Sequence, residues 1–430
     1  MIVKTVILGV HNAMFGWIEQ FLFAPEGGGW AYTYTQRPDL ISLLAVAGLL
    51  PLLLLLWRYS ESHVATHPLR VVLEWLGAGV IVEWIALSIA PFSVLDKLES
   101  VSANGFYTVS KQFPAMDFLR HFNALASTLP MHVQANLPGK VLIFHFLRTV
   151  SEEPAIVAGE LVLLSTLGGA LVYLVAWEWF QDRRTAVVAT IFYLLFPARI
   201  FFLPLLNTIS PVLMLIPLAL AGAWARTGRH RYAIAIGPAL YVLAIFDPLP
   251  LTAGLCGLAA VARPVDRPVT PMQLVTFAGI VAAGWLTTYA IVAGLLGFDL
   301  GSAYQFAIDN AATFNREQHR PYWFWAGHNL KDFAIGIGIA QTLVIAAGAR
   351  QWLSAPRAII CISIIAVLLL LDVLGINRGE VQRLWIFLGV LFQILAAHAC
   401  RNDRRLVAAV IALSAAQIVL CMRSIAWVVP

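Results

Sequence analysis

Residues 92–154 read FSVLDKLESVSANGFYTVSKQFPAMDFLRHFNALASTLPMHVQANLPGKVLIFHFLRTVSEEP. The stretch is long and polar, whereas the chain on either side of it is built from apolar runs. It carries the motif His132-Val133-Gln134-Ala135-Asn136-Leu137-Pro138-Gly139-Lys140. What the flanking runs are decides what this stretch can be.

Of the 430 residues, 60% are hydrophobic and 12% charged, with a mean hydropathy of +0.80. A soluble domain averages about 25% charged residues, so this chain cannot solvate the surface of a soluble fold. Apolar runs of about 20 residues cross a bilayer as helices, which satisfy their own backbone hydrogen bonds there. The composition therefore predicts an all-α polytopic membrane protein, with residues 1–430 forming a single transmembrane domain. Cys256, Cys361, Cys400 and Cys421 lie in or beside apolar runs without CxxC spacing, so they suggest neither a disulfide framework nor a zinc site. No cleavable signal peptide is evident, because the run after Lys4 is interrupted by His11, Asn12, Glu19 and Gln20.

Spans are expected at Leu40–Trp57, Val71–Pro91, Ala155–Phe180, Thr185–Leu203, Pro211–Ala225 and Tyr232–Phe246. More follow at Pro248–Ala262, Val275–Leu296, Phe333–Ala349, Ala358–Gly375, Leu384–Cys400 and Leu406–Met422. That makes about twelve, or thirteen if the weakly apolar run Val6–Phe23 inserts.

Alternate short loops are arginine-rich: Arg58 and Arg70; Arg183 and Arg184; Arg226, Arg229 and Arg231; Arg263 and Arg267; Arg350 and Arg357; Arg401, Arg404 and Arg405. Lys and Arg in short loops mark the cytoplasmic side. Residues 92–154 then face away from the cytoplasm as a large first extracytoplasmic loop. Residues 297–332 form a second such loop, and Gly375–Gln382 and the Asp247-Pro248 turn emerge on the same side.

Within the first loop, short amphipathic helices are expected from about Ala115 to Ser127 and from about Gly139 to Val150, lying in the membrane interface. Pro130 and the Leu137-Pro138-Gly139 turn would present His132, Asn136 and Lys140 together. The loop's acids are Asp96, Glu99 and Asp117. Asp96 follows a span end closely, where burial could tune it as a general base; pairing with Lys97 or solvating a turn is the plainer role. Glu99 and Asp117 stand behind it.

In residues 297–332, Arg316, His319, Arg320 and Lys331 alternate with Tyr322, Trp323 and Trp325. Guanidinium binds phosphate bidentately and Trp and Tyr favour headgroup depth, so a lipid-linked phosphate would suit this stretch; so would an ordinary aromatic belt. Finally, Arg378, Glu380 and Arg383 place charges at a membrane boundary, with Glu380 and Arg383 spaced for a helical ion pair. Of the intramembrane acids Glu74, Glu83, Glu160 and Glu178, Glu83 alone reads as deep.

At these residues the chain resembles the GT-C superfamily of integral-membrane glycosyltransferases, which use polyprenyl-phosphate sugars. The likeness rests on an acid just after a span with a segment containing Tyr107, on His132…Asn136-Leu137-Pro138-Gly139-Lys140, and on Gly379-Glu380-Val381-Gln382-Arg383-Leu384-Trp385. The last is similar to a segment of arabinofuranosyltransferase-like members. The chain departs from the family where Asp96 and Glu99 stand three apart instead of paired, and where Asn136-Leu137 replaces His-Pro.

The resemblance implies an inverting sugar transfer from a polyprenyl-phosphate donor to a glycan, lipid or protein acceptor of the cell envelope. Asp96 would take the acceptor's proton. Tyr107, His132, Asn136, Lys140, Arg316, His319, Arg320, Tyr322, Arg378, Glu380 and Arg383 would bind substrates, the basic ones stabilising the departing phosphate. The superfamily allows an assisting divalent metal, Mg or Mn, whose ligands no sequence cluster identifies. Membrane lipids are expected partners and nucleic acid is not. An arginine- and alanine-rich composition fits a high-GC bacterium, hence a bacterial cytoplasmic membrane. Two rivals are a transporter or flippase, which should show repeats and deep acids, and a ligase or polymerase of lipid-linked glycans, which would release a diphosphate.

Overall fold

The computed structural model describes residues 32–262, 268–317, 320–354 and 357–430. The run Val6–Phe23 and His319 lie outside them. Among the described residues seven helices are long and apolar enough to cross a membrane: Leu40–His63, Pro68–Ser88, Pro154–Phe180, Arg183–Phe201, Leu206–Thr227, Pro271–Leu296 and Arg404–Ser424. A bent pair, Tyr322–Ile337 with Ile339–Ala347, forms one more candidate, and His230–Phe246, Leu249–Ala262, Ala358–Leu374 and Ile386–Cys400 are shorter apolar helices. In order along the chain these segments follow the expected spans, but seven or eight of them, not about twelve, are long and apolar enough to cross a membrane. The protein is an all-α polytopic membrane protein.

The helix starts are written in the sequence. Pro68, Pro154 and Pro271 occupy first-turn positions, where the missing N–H costs nothing. Asp39, Asp182 and Asp403 cap their helices by accepting backbone N–H bonds. One expected span needs correction. Phe333–Ala349 is not one straight helix, because the chain turns by 103° between Ile337 and Ile339. Gly338 makes the turn at φ +109°, a conformation that side chains with a Cβ rarely adopt. Residues 297–332 are also more helical than a loop, forming Leu300–Glu317 and the first part of Tyr322–Ile337.

The helices Arg183–Phe201 and Ile386–Cys400 run through the centre and are almost entirely buried. The helix Pro271–Leu296 lies at the periphery and buries only Phe277. It is held by the helix His230–Phe246 through facing glycines: a Cβ added to Gly237 would lie 2.5 Å from the Trp285 nitrogen. Small residues of this kind let membrane helices approach closely. A short antiparallel pairing of Thr33–Tyr34 with Ile425–Ala426 ties the two ends of the described chain together.

A fully buried ion pair sits in the core. Arg199 Nη2 donates to Glu83 Oε1 at 2.5 Å, and Thr166 Oγ1 donates to Glu83 Oε2 at 2.6 Å. The guanidinium also donates to the carbonyls of Tyr193 and Leu194 and to Ser165 Oγ. A charge at such depth persists only when fully partnered.

Four of the arginine-rich loops meet at one end of the bundle. Arg184 and Arg404 pair with Glu61 at 2.9 and 3.4 Å, Arg401 with Asp182 at 3.3 Å, and Arg226 with Glu178 at 2.8 Å. The polar loops meet at the other end, where Asn310 donates to the Gln134 carbonyl and Asn123 to that of Asp299. In the first loop, the helices Ala115–Leu125 and Gly139–Leu147 form where interfacial helices were expected. They are joined by Val94–Glu99, Val101–Gln112 and Met131–Gln134. Phe118, Phe122 and Phe144 anchor this layer with essentially no exposure.

Candidate functional site

The site is built from the Leu137-Pro138-Gly139 turn. Gly139 packs directly on the end of the helix His230–Phe246: a Cβ there would lie 2.6 Å from the Ile245 carbonyl oxygen and from Phe246 Cα. That contact brings the next residue, Lys140, beside the chain segment that continues into Asp247. Lys140 is buried, donates from Nζ to Asn136 Oδ1 at 2.7 Å and lies 5.7 Å from the Phe106 ring centre. Asn136 is itself fixed by donating to the His132 carbonyl at 2.7 Å. Burial lowers the proton affinity of Lys140; Asp247 opposes this and Arg383 adds to it. Asp247 is 7% exposed and accepts from Ser210 Oγ at 2.7 Å, yet it forms no direct ion pair with Lys140.

The second wall is the segment Gly375–Trp385. Gly379 and Glu380 both adopt positive φ, at +83° and +58°. A Cβ at Gly379 would meet the Trp325 ring at 2.9 Å, so glycine is required there. Glu380 carries a side chain in the left-handed region, a strained choice of the kind that clusters at functional sites. Its carboxylate is clamped, with Oε1 accepting from Arg320 Nη2 at 3.1 Å and Oε2 from Arg383 Nη2 at 2.5 Å. Although burial pushes the Glu380 carboxyl up, the two guanidiniums outweigh it and hold it below the usual range.

Arg320 and Arg378 are committed to holding this wall. Arg320 Nη1 donates to the Arg378 carbonyl at 2.7 Å, and Arg378 Nη1 returns the bond to the Arg320 carbonyl at 2.9 Å. Tyr322 donates to the Val373 carbonyl and stacks under Arg378. By contrast, Arg383 Nε and both amide atoms of Gln382 are buried with no hydrogen-bond partner among the described residues. Buried polar atoms without partners cost free energy and call for an explanation.

The two walls are within electrostatic reach of each other. Burial lowers the proton affinity of His132, Arg383 and Lys140 act in the same sense, and Glu380 opposes. At neutral pH, burial and these neighbours favour His132 as the neutral imidazole. The two walls thus offer Lys140 and His132 on one side and Arg383 and Gln382 on the other as donors.

Of the residues singled out in sequence, His132, Asn136 and Lys140 form one bonded group and Arg320, Arg378, Glu380 and Arg383, with Tyr322, form another, the two within electrostatic reach. The others stand apart from these contacts. Asp96 is exposed and serves in a capping box, accepting from the Ser93 N–H at 3.1 Å. Asp117 pairs with Arg120 at 3.8 Å with about half of each side chain exposed. Glu99 is exposed and makes no ion pair among the described residues. Arg316 is exposed and donates to Thr313. Tyr107 is buried with Lys111 Nζ 4.1 Å above its ring, and its hydroxyl has no hydrogen-bond partner among the described residues. The sequence reading passed over Asp247, Ser210 and Gln382. Asp247 had one visible signal, an acid in an Asp-Pro turn at a span end.

Among the described residues no three His, Cys, Asp or Glu side chains converge as a metal-ligand set. A cavity of about 390 Å³ opens at the opposite, arginine-rich end, lined by Trp57, Glu61, Trp177, Asp182, Arg183 and Arg184. Glu61, Asp182 and Arg184 there are already paired.

No protein-family profile matches the chain, and neither does any curated protein. Among solved structures, the crystal structure of the oligosaccharyltransferase of Archaeoglobus fulgidus, a complex with Zn and sulfate, aligns with 80% of this chain at a TM-score of 0.43 and 13% identity. The chain spans 52% of that protein's length in the alignment.

Proposed function

We propose that the protein is a membrane glycosyltransferase that moves a sugar from a polyprenyl-phosphate donor to a cell-envelope acceptor, with its site on the extracytoplasmic face. One observation carries the reading. The His132–Lys140 turn and the Gly379–Arg383 segment, from opposite halves of the chain, lie within electrostatic reach of each other, and the second keeps buried donors that have no partner among the described residues. These are the segments whose motifs resemble the GT-C superfamily.

The donor set suits a phosphate that gains charge as it leaves. Lys140 supplies a point charge, and Arg383 supplies guanidinium N–H groups at a buried location where charge stabilisation is strong. His132 and Gln382 add hydrogen bonds. Arg320 and Arg378, expected to bind substrate, act in this reading by holding Glu380 and the Gly375–Glu380 turn. The proposed orientation is supported by the four arginine loops that meet at the opposite end, since Lys and Arg in short loops favour the cytoplasmic side.

The test is turnover. Purified protein incubated with labelled polyprenyl-monophosphate sugars should transfer sugar and release polyprenyl monophosphate. Release of a diphosphate from diphosphate-linked glycans, with no turnover of the monophosphate donors, would point to a ligase instead.

A further inference from the structure

We propose that Asp247 is the carboxylate that accepts the acceptor hydroxyl's proton, an inference that rests on the glycosyltransferase reading. Asp247 stands immediately beyond the helix His230–Phe246, against which Gly139 is pressed, so it is adjacent to the Lys140 turn. One of its oxygens, Oδ2, is fixed by Ser210 at 2.7 Å. The side chain is 7% exposed, whereas Asp96 is exposed and spends an oxygen on its own helix cap. A general base works best when desolvated and held at one orientation. Asp247 meets both conditions.

The groups facing it are few. Lys140 approaches from the helix Gly139–Leu147 and Ser210 from the helix Ser210–Thr227. Tyr304 approaches from Leu300–Glu317, and burial with the neighbouring Asp247 charge pushes its phenol up to about 12, so it stays protonated. Lys140, by contrast, has its ammonium held by Asn136 rather than by the carboxylate. The carboxylate therefore sits next to the proposed phosphate-binding cation without being neutralised by a direct contact. That is where an acceptor hydroxyl would have to enter.

The step balances as follows. The acceptor oxygen forms a bond to the anomeric carbon while the bond from that carbon to the phosphate oxygen breaks. The hydroxyl proton passes to Asp247, and the lipid phosphate leaves with the electron pair beside Lys140 and Arg383.

The experiment uses the purified full chain in detergent with polyprenyl-phosphate sugar donors, monitoring release of polyprenyl monophosphate across pH. Asp247→Asn should lower kcat by about 100-fold or more with donor KM within a few-fold, and Asp247→Glu should recover part of the loss. Ser210→Ala, which keeps the charge but removes the hydrogen bond to it, should move the acidic limb of the kcat profile to higher pH; this variant serves if Asp247→Asn fails to fold. A carboxylate that only balances Lys140 would instead raise donor KM and leave kcat and its acidic limb in place, which would overturn the proposal. So would an Asp247→Asn protein that turns over at the wild-type rate. A wild-type chain that turns over no lipid-phosphate donor would remove the glycosyltransferase reading itself.

Discussion

Two clusters in this protein join a glutamate to arginine, and they are built to opposite ends. Around Glu83 and Arg199 both carboxylate oxygens and every nitrogen of the guanidinium have partners, with no exposure. Around Glu380, Arg320 bonds through both Nη atoms, but Arg383 Nε and the Gln382 amide are buried with no partner among the described residues, beside a backbone at positive φ. The first cluster is closed and has nothing left to offer. The second is held open by its own framework, and an anion would complete it. An ion pair near a membrane boundary is thus no guide to a binding site until its hydrogen bonds have been counted.

The largest effect should come from opening the closed pair. Arg199→Leu leaves Glu83 buried without its partner, a change that costs about 3–5 kcal/mol. Thermal unfolding in detergent should show the loss. The double variant Glu83→Leu with Arg199→Leu should regain most of it, since apolar replacement of a buried pair is often neutral. If the single and double variants are equally unstable, the pair is not what the site's scaffold depends on.

Next comes the contact that seats the Lys140 turn. Gly139→Val would drive a side chain into the backbone at Ile245 and Phe246, and overpacking of this kind costs about 1–3 kcal/mol. Donor turnover should fall further than stability, because Lys140 moves with the turn. A Gly139→Val protein with wild-type turnover would separate the turn from the site.

The smallest effect belongs to a third kind of pair, neither closed nor open. Arg423 donates to Asp39 at 2.7 Å between the two ends of the described chain, where both side chains remain partly exposed. The Arg423 hydrogen bond holds the Asp39 carboxyl down at about 2 against an ordinary value of 3.8. A carboxyl depressed by folding contributes stability above its unfolded value, and that contribution is lost as pH falls. Wild type and Asp39→Asn should therefore differ slightly above pH 3.8 and converge as the pH drops through about 2. Acid unfolding followed by circular dichroism checks this, and a difference that grows towards low pH would reverse the sign.

Much of the fold was legible because membrane crossing is decided by the apolarity of each stretch in turn. Pro68, Pro154, Asp39 and Asp182, which the expected spans did not use, start their helices for an equally local reason. What escaped was whatever depends on contacts across the chain. Glu83 read as deep, but its partner Arg199 lay unremarked in another apolar run. Gly338 gives no local sign that the chain turns there and not at its neighbours. Asp96 illustrates a signal present and underweighted, since Ser93 three residues earlier is the spacing of a capping box. Arg320 and Arg378 looked free because the backbone carbonyls that occupy them cannot be read from side-chain identities. Asp247 looked like part of a turn because Gly139, which brings Lys140 against that helix end, is far away in sequence.

The comparison between the closed and open clusters comes down to one binding measurement. A short-chain polyprenyl monophosphate should be titrated into the purified full chain, into Arg383→Ala and into the double variant Glu83→Leu with Arg199→Leu. Arg383→Ala should bind at least about tenfold more weakly, a loss of about 1.4 kcal/mol, while the folded double variant binds as wild type does. Equal binding by Arg383→Ala and wild type, or weakening confined to the double variant, would contradict an anion site at the open cluster.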